Sequence, residues 1–339
     1  MRLGLAIAAL LLAAPGTVLA QDSAKESLAE TAERFAGSSV LYENSWSVGH
    51  GANFDPVATR SWSMLFSAAL DLQVTEHLGF SISGSFQRFI LEENTTFKHE
   101  LWASDTLLAV SLALPEFHLE GAKEALPIAA AIGLDVSLPT GKASQAESLI
   151  MAFAPYVEHT VTVPLLDGWS WTHRMTVTPR LHRYTTMQFA VPRICSAATG
   201  CALGATTDTG WLNTKLQMTQ GISTSLAMLD SMFTLTAGID ATWGWLYAKS
   251  PSDQYAESVI SDPANNGGTP TNLTSAFILD LTIAPNDAFS VGVGLWTPGG
   301  MNPSGGWYNP FGNRWSQVYL DLTFYPVGFG QTVAQARAE

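Results

Sequence analysis

Residues 61–74 read Ser61-Trp62-Ser63-Met64-Leu65-Phe66-Ser67-Ala68-Ala69-Leu70-Asp71-Leu72-Gln73-Val74. The even positions, from Trp62 through Phe66 and Leu70 to Val74, are all apolar. The odd positions carry Ser61, Ser63, Ser67, Asp71 and Gln73, with only Leu65 and Ala69 breaking the polarity. A period of two sustained this long describes a strand lying between an oily and a watery environment. After Thr75-Glu76-His77 it resumes, with Phe80, Ile82 and Phe86 alternating with Gly79, Ser81, Ser83, Ser85 and Gln87.

The same alternation returns along the chain. It runs over 105–112, 128–138, 149–161, 169–182, 212–226, 233–245, 277–283, 289–295 and 317–324. With a first strand near Val40–Gly49, the count reaches about 12, and an even number is what bacterial outer-membrane barrels use. The connections alternate in length. Segments 75–77, 164–168, 229–231 and 284–287 are tight, with 115–126 a longer exception, while 51–60, 92–99, 140–147, 186–209, 248–270 and 299–313 are long. Short periplasmic turns and long external loops have this asymmetry. Trp46, Trp62, Trp102, Trp243, Trp245 and Tyr247 fall near the long-loop ends of apolar faces, and Trp169, Trp171 and Phe289 near the short-turn ends. Two aromatic girdles at the membrane interfaces produce that distribution. A soluble sandwich also alternates, but strand length, aromatic placement and loop asymmetry argue against it. The expected fold is all-β: an antiparallel up-and-down transmembrane β-barrel of about 12 strands over 38–327.

Composition agrees. Of 339 residues only 13% are charged and 47% are hydrophobic. The usual charged share is about 25%, so disorder is excluded. A balance of 16 Lys+Arg against 29 Asp+Glu gives −13, which excludes a nucleic-acid partner, since phosphate binding needs a basic face. Mean hydropathy is +0.14, yet nothing after the first 20 residues reads as a membrane helix. An apolar chain without membrane helices leaves a closed barrel as the way to span lipid.

The start has the form of an export signal: Met1-Arg2, the apolar run Leu3 to Ala14, then Val18-Leu19-Ala20 before Gln21. Cleavage is expected after Ala20, delivering the chain toward the bacterial outer membrane. Segment 21–37 is expected to be periplasmic, either a surface linker or a helix with Leu28, Ala32 and Phe35 on one stripe, and 328–339 to be a polar tail. Cys195 and Cys201 share one long loop, and in an oxidising compartment they are expected to form a local disulfide.

The polar face defines the candidate site. In this phase Asp71, Asp105, Asp135, Glu158, Asp240, Asp280 and Asp321 point inward, as does Glu43. Arg174, Arg180 and His182 on one strand and Lys215 on the next form an expected basic wall opposite them. A transverse field of that kind orients solutes in a pore. The alternative is a filled lumen whose charges only hold its shape, because about 12 strands lies between packed small barrels and open porins. Gly79, Ser81, Ser83 and Ser85 favour open space. Loop 299–313 offers Trp307, Tyr308 and Phe311 as candidates for narrowing the mouth. No catalytic set emerges. His159 and His173 stand equally far from turn 164–168 on the lipid side, with no outward Ser beside them. No P-loop, dinucleotide fingerprint or zinc spacing is present, so neither cofactor nor metal is expected.

Leu134-Asp135-Val136-Ser137-Leu138-Pro139-Thr140-Gly141-Lys142 resembles a segment of putative outer-membrane transporters, including the MetA-pathway phenol-degradation family. There a strand ends in Leu-Pro-Thr-Gly at an external loop. Val318-Tyr319-Leu320-Asp321-Leu322-Thr323-Phe324-Tyr325 is similar to the terminal strand read by the outer-membrane insertion machinery. The resemblance implies a porin- or transporter-like barrel for small organic molecules and carries over no binding residue. The expected function is passive passage of small solutes. The alternative is a non-conducting structural or assembly barrel that displays loops 186–209 and 248–270 to partners.

Overall fold

The computed structural model describes residues 33–47, 61–92, 101–119, 126–163, 168–190, 206–248, 271–300, 309–313 and 315–336. They build a closed antiparallel barrel of twelve staves. In chain order the strands are β1 (Ser39–Ser47), β2 (Ser61–Gln73), β3 (Leu78–Glu92), β4 (Leu101–Ala103), β5 (Thr106–Ala113), β6 (Phe117–Leu119), β7 (Leu126–Leu138), β8 (Leu149–Thr162) and β9 (Trp169–His182). They continue as β10 (Thr186–Ala190), β11 (Thr206–Leu212), β12 (Thr214–Met228), β13 (Phe233–Leu246), β14 (Thr271–Asn286), β15 (Phe289–Gly300) and β16 (Gln317–Phe324). β4, β5 and β6 are pieces of one stave, since β4 and β5 both pair β3 while β5 and β6 pair β7. β10 and β11 pair only with each other, as a hairpin off the wall at the long-loop end. Closure comes from β1, which pairs β2 on one side and β16 on the other. A closed sheet leaves no backbone edge for lipid to meet.

The barrel is turned inside out relative to a soluble domain. Phe66, Phe80, Ile82, Phe86, Leu108, Ile132, Val157, Ile222, Leu235, Ile239, Leu279, Val293 and Leu320 are all exposed. Thr297, Ser38 and Ser316, all small and polar, are the most enclosed residues, and only Leu149, Ala152 and Ala288 are buried apolar ones among the described residues. The exposed apolar set has the parity that alternation assigns to lipid on every one of these strands. Strands of 13 to 16 residues, such as β2 and β14, exceed the 9 to 11 that a tilted crossing requires. Among the described residues no helix is long and apolar enough to cross a membrane.

Local chemistry fixes the ends. Gly168 closes the β8–β9 turn at φ +78, where a Cβ would also run into the Ala227 carbonyl. At the long-loop end, Leu138-Pro139-Thr140-Gly141 is a structural latch. Thr140 Oγ1 accepts from the Thr106 amide at 2.8 Å and donates to the Ser104 carbonyl at 3.0 Å. The Gly141 amide donates to Asp105 at 2.9 Å. The latch leads into the one-turn helix α1 (Lys142–Ala146). Residues 326–336 form helix α2 (Pro326–Ala336), and Phe329 leans on Phe324 of the last strand, with ring centroids 5.6 Å apart. The signal segment, the stripe at 22–32 and the pair Cys195 and Cys201 lie outside the described residues.

Candidate functional site: the lumen wall

Two adjacent strands and their neighbours build the central feature. Register sets Gly133 of β7 opposite Tyr156 of β8, and Glu158 opposite Arg174 of β9. The Tyr156 ring lies over Gly133, where any Cβ would collide with it. The Arg174 guanidinium stacks over that ring, 3.7 Å from its centroid. From there Nη2 donates to Asp135 at 2.8 Å, and Nη1 reaches Glu158 at 3.5 Å. One cation thus serves two carboxylates and a ring, and the assembly lies flat against the wall.

The same device recurs on the inward face. A Cβ at Gly221 would meet the Asp240 carboxylate, one at Gly292 the Asp321 carboxylate, and one at Gly294 the Tyr319 ring. Tyr156, Asp240, Asp321 and Tyr319 thus fold onto glycines of the neighbouring strands instead of standing into the lumen. This leaves a cavity of about 690 Å³ beside the β2–β3–β5 wall, lined in part by Asp71, Gln73, Ser81, Ser111 and the Arg174 group. Glu33 to Gly37 border it at the short-turn end. The Gln73 amide donates to the Arg34 carbonyl there at 2.7 Å, and Ser38 Oγ accepts from the Asp71 amide at 3.0 Å.

Gly133→Leu provides a direct check of this arrangement. Forcing the Tyr156–Arg174 stack off its glycine is expected to lower single-channel conductance, and overpacking should cost about 1–3 kcal/mol in urea unfolding. Adding Tyr156→Ala should restore conductance.

The expected basic wall is not found. Arg174 is neutralised by two acids. Arg180 is bound to Glu147, 2.6 Å away, at the end of the loop that carries α1. The His182 side chain is fully buried edge-on against Tyr247, with centroids 5.7 Å apart and Glu147 3.9 Å from Nε2, so it does not line the passage. Lys215 is exposed at a bulge between Thr214 and Leu216, level with the Arg180 end of β9. Arg180, Glu147, Tyr247 and Asn213 instead stitch the long-loop rim. Asn213 Nδ2 donates to the Glu147 and Tyr184 carbonyls at 2.6 and 2.9 Å, and Tyr247 Oη to the Arg180 carbonyl at 3.2 Å.

Two other expectations need correction. Asp105 holds the latch rather than facing a passage: Ser137 Oγ donates to it at 3.0 Å, as do the Gly141 amide and Ser144 Oγ. Phe311 packs edge-on against the outward ring of Phe277 with centroids 5.1 Å apart, which puts it outside the wall and away from the mouth. Trp307 and Tyr308 lie outside the described residues. His159 and His173 are direct cross-strand neighbours, with rings 4.9 Å apart. Among the described residues no group of three or more His, Cys, Asp or Glu is placed to hold a metal.

Alternation alone did not single out Trp296. It shares parity with Gly292 and Gly294 and so faces inward, flanked in register by Ile278 and Gln317. The parity was there to be read, but an isolated Trp on a Gly-rich face is easily assigned to a membrane girdle.

No protein-family model matches the chain, and no curated protein does. Among solved structures it is similar to an outer membrane channel from Pseudomonas putida F1, with 9% identity and a TM-score of 0.47 over 85% of this chain and 95% of that one. It is also similar to the NanC porin, with 9% identity and a TM-score of 0.42 over 85% and 99%. The KdgM porin aligns with 8% identity and a TM-score of 0.38 over 84% and 98%. The geometry of the wall itself carries the functional reading.

Proposed function

We propose that the chain is an outer-membrane channel for the passive passage of small solutes. The observation that carries this reading is the inward face, where side chains large enough to fill the interior lie flat on glycines beside a cavity of about 690 Å³. A barrel built only to hold its shape would interdigitate those side chains across the lumen. Charges bound within the wall screen the passage without blocking it. Diffusion would be limited by width and by the inward carboxylates that no Lys or Arg pairs among the described residues, Asp240 and Asp321 among them.

In the same reading the leader is removed after Ala20, the short turns face the periplasm, the long loops face outward, and Cys195 and Cys201 close a disulfide in one of them. The insertion machinery would read β16, where Tyr319, Asp321 and Thr323 alternate with Val318, Leu320, Leu322 and Phe324. Small organic molecules are the finer assignment, on the strength of the Leu138-Pro139-Thr140-Gly141 segment. Reconstitution of the mature chain in planar bilayers with KCl, together with liposome swelling in a size series of uncharged solutes, tests the proposal. Stepwise currents and size-dependent swelling are expected. Absence of both would favour the non-conducting barrel that displays its loops.

A further inference from the structure

The wall formed by β14, β15, β16 and β1 differs from the rest of the lumen. Register stacks three inward rows along the axis. Nearest the long-loop end come Ile278, Trp296 and Gln317. Below them are Asp280, Gly294, Tyr319 and Ser45. Below those are Thr282, Gly292, Asp321 and Glu43. A recess of about 310 Å³ opens here, lined by Glu43, Ser45, Ile278, Trp296, Gln317 and Tyr319. That is the lower end of the range of small-ligand pockets, about 300–1,000 Å³.

The chemistry of the recess is specific. Tyr319 is pinned by its Oη, which donates to Asp280 at 3.0 Å, and its ring covers Gly294. One π face therefore rests on the wall and the other looks into the lumen. Trp296 supplies a second ring in the row above. Glu43 and Asp321 stand directly opposite each other on neighbouring strands. Like charges in that position repel, and among the described residues no Lys or Arg pairs with either. The guanidinium that faces the lumen elsewhere, Arg174, is held by Asp135 and Glu158. Two aromatic rings above the Glu43 carboxylate, with Asp321 across from it on the next strand and folded onto Gly292, form a recess for a compact organic cation.

We propose that this recess is a transit site for small organic ammonium ions, which makes the passage cation-selective. The inference rests on the channel reading and names its preferred solute class. An ammonium group would slide from the Trp296 ring to the Tyr319 ring and exchange its hydration for the Glu43–Asp321 pair. Anions of the same size meet the carboxylates and are turned away.

The test uses the full mature chain in planar bilayers, with tetramethylammonium as the probe. In a KCl gradient the reversal potential should favour K⁺. Tetramethylammonium should reduce the K⁺ current in a dose-dependent way, while tert-butanol at equal concentration does not. Trp296→Leu should raise the half-blocking concentration about fivefold and leave the reversal potential in place. Trp296→Phe, which keeps a ring, should retain most of the block. Glu43→Gln combined with Asp321→Asn should weaken both block and selectivity. Heat-modifiable migration on gels checks that each variant has folded, and the wild-type block stands as a test without any variant. Intact KCl currents with no tetramethylammonium block, or with a block that ignores these substitutions, would overturn the recess and leave the channel standing. No KCl current at all would overturn both.

Discussion

Leu279→Arg is expected to destabilise the barrel in lipid by about 2–4 kcal/mol, the cost of a basic side chain near the bilayer midplane on the outer face. Leu279 sits midway along β14 with its side chain exposed on the oily face. Ser83→Arg introduces the same side chain on the inward face of β3, and should cost less than about 1 kcal/mol. Urea unfolding in liposomes measures both. The pair compares the two environments directly, because the side chain introduced, its charge and the chain length are the same in both. Equal effects would mean that the two faces do not meet different solvents.

Arg174→Ala should produce the largest change in ion selectivity. It removes a cation and frees Asp135 and Glu158, now 2.8 and 3.5 Å from the guanidinium. A unit charge at about 4 Å in a water-like medium is worth about 1 kcal/mol, roughly a fivefold change in local ion occupancy. The reversal potential in a KCl gradient should therefore move toward K⁺, and the K⁺ conductance should rise. Adding Asp135→Asn and Glu158→Gln should reverse the shift. Arg180→Ala should act differently, because Arg180 binds the loop residue Glu147 at the rim. There the expected result is faster proteolysis of the long loops with little change in selectivity. An unaltered reversal potential in Arg174→Ala would remove Arg174 from the conducting path.

Much of this was legible from the sequence. Alternation in 61–74 assigned Phe66 to lipid and Asp71 to the interior, and the same rule gave the facing of Arg174, Glu158, Asp240 and Asp321. Period two is enforced by the pleat, so a strand that separates oil from water must display it. Partnerships were not legible, because they depend on register across several strands. Arg174 reaches Asp135 over the whole of β8, a span that only a long side chain bridges. Seating Tyr156 on Gly133 requires the β7–β8 offset, which neither strand states alone. Charge counting therefore suggested a basic wall where the structure has saturated cations. Asp105 was placed by parity, but its position at the break between β4 and β5 turns it to the Thr140–Gly141 latch. Phe311 was placed by its loop, and the outward ring of Phe277 draws it to the other side of the wall.

The central claim is that these strands divide lipid from an enclosed, water-accessible interior. Single cysteines introduced one at a time from Thr234 to Thr242, in a chain with Cys195 and Cys201 replaced by Ser, test it in liposomes with a membrane-impermeant maleimide. Positions 234, 236, 238, 240 and 242 should label, while 235, 237, 239 and 241 stay protected until the membrane is dissolved and the barrel unfolded. Uniform labelling, or reaction at Leu235 and Ile239 ahead of Thr236 and Asp240, would contradict the account.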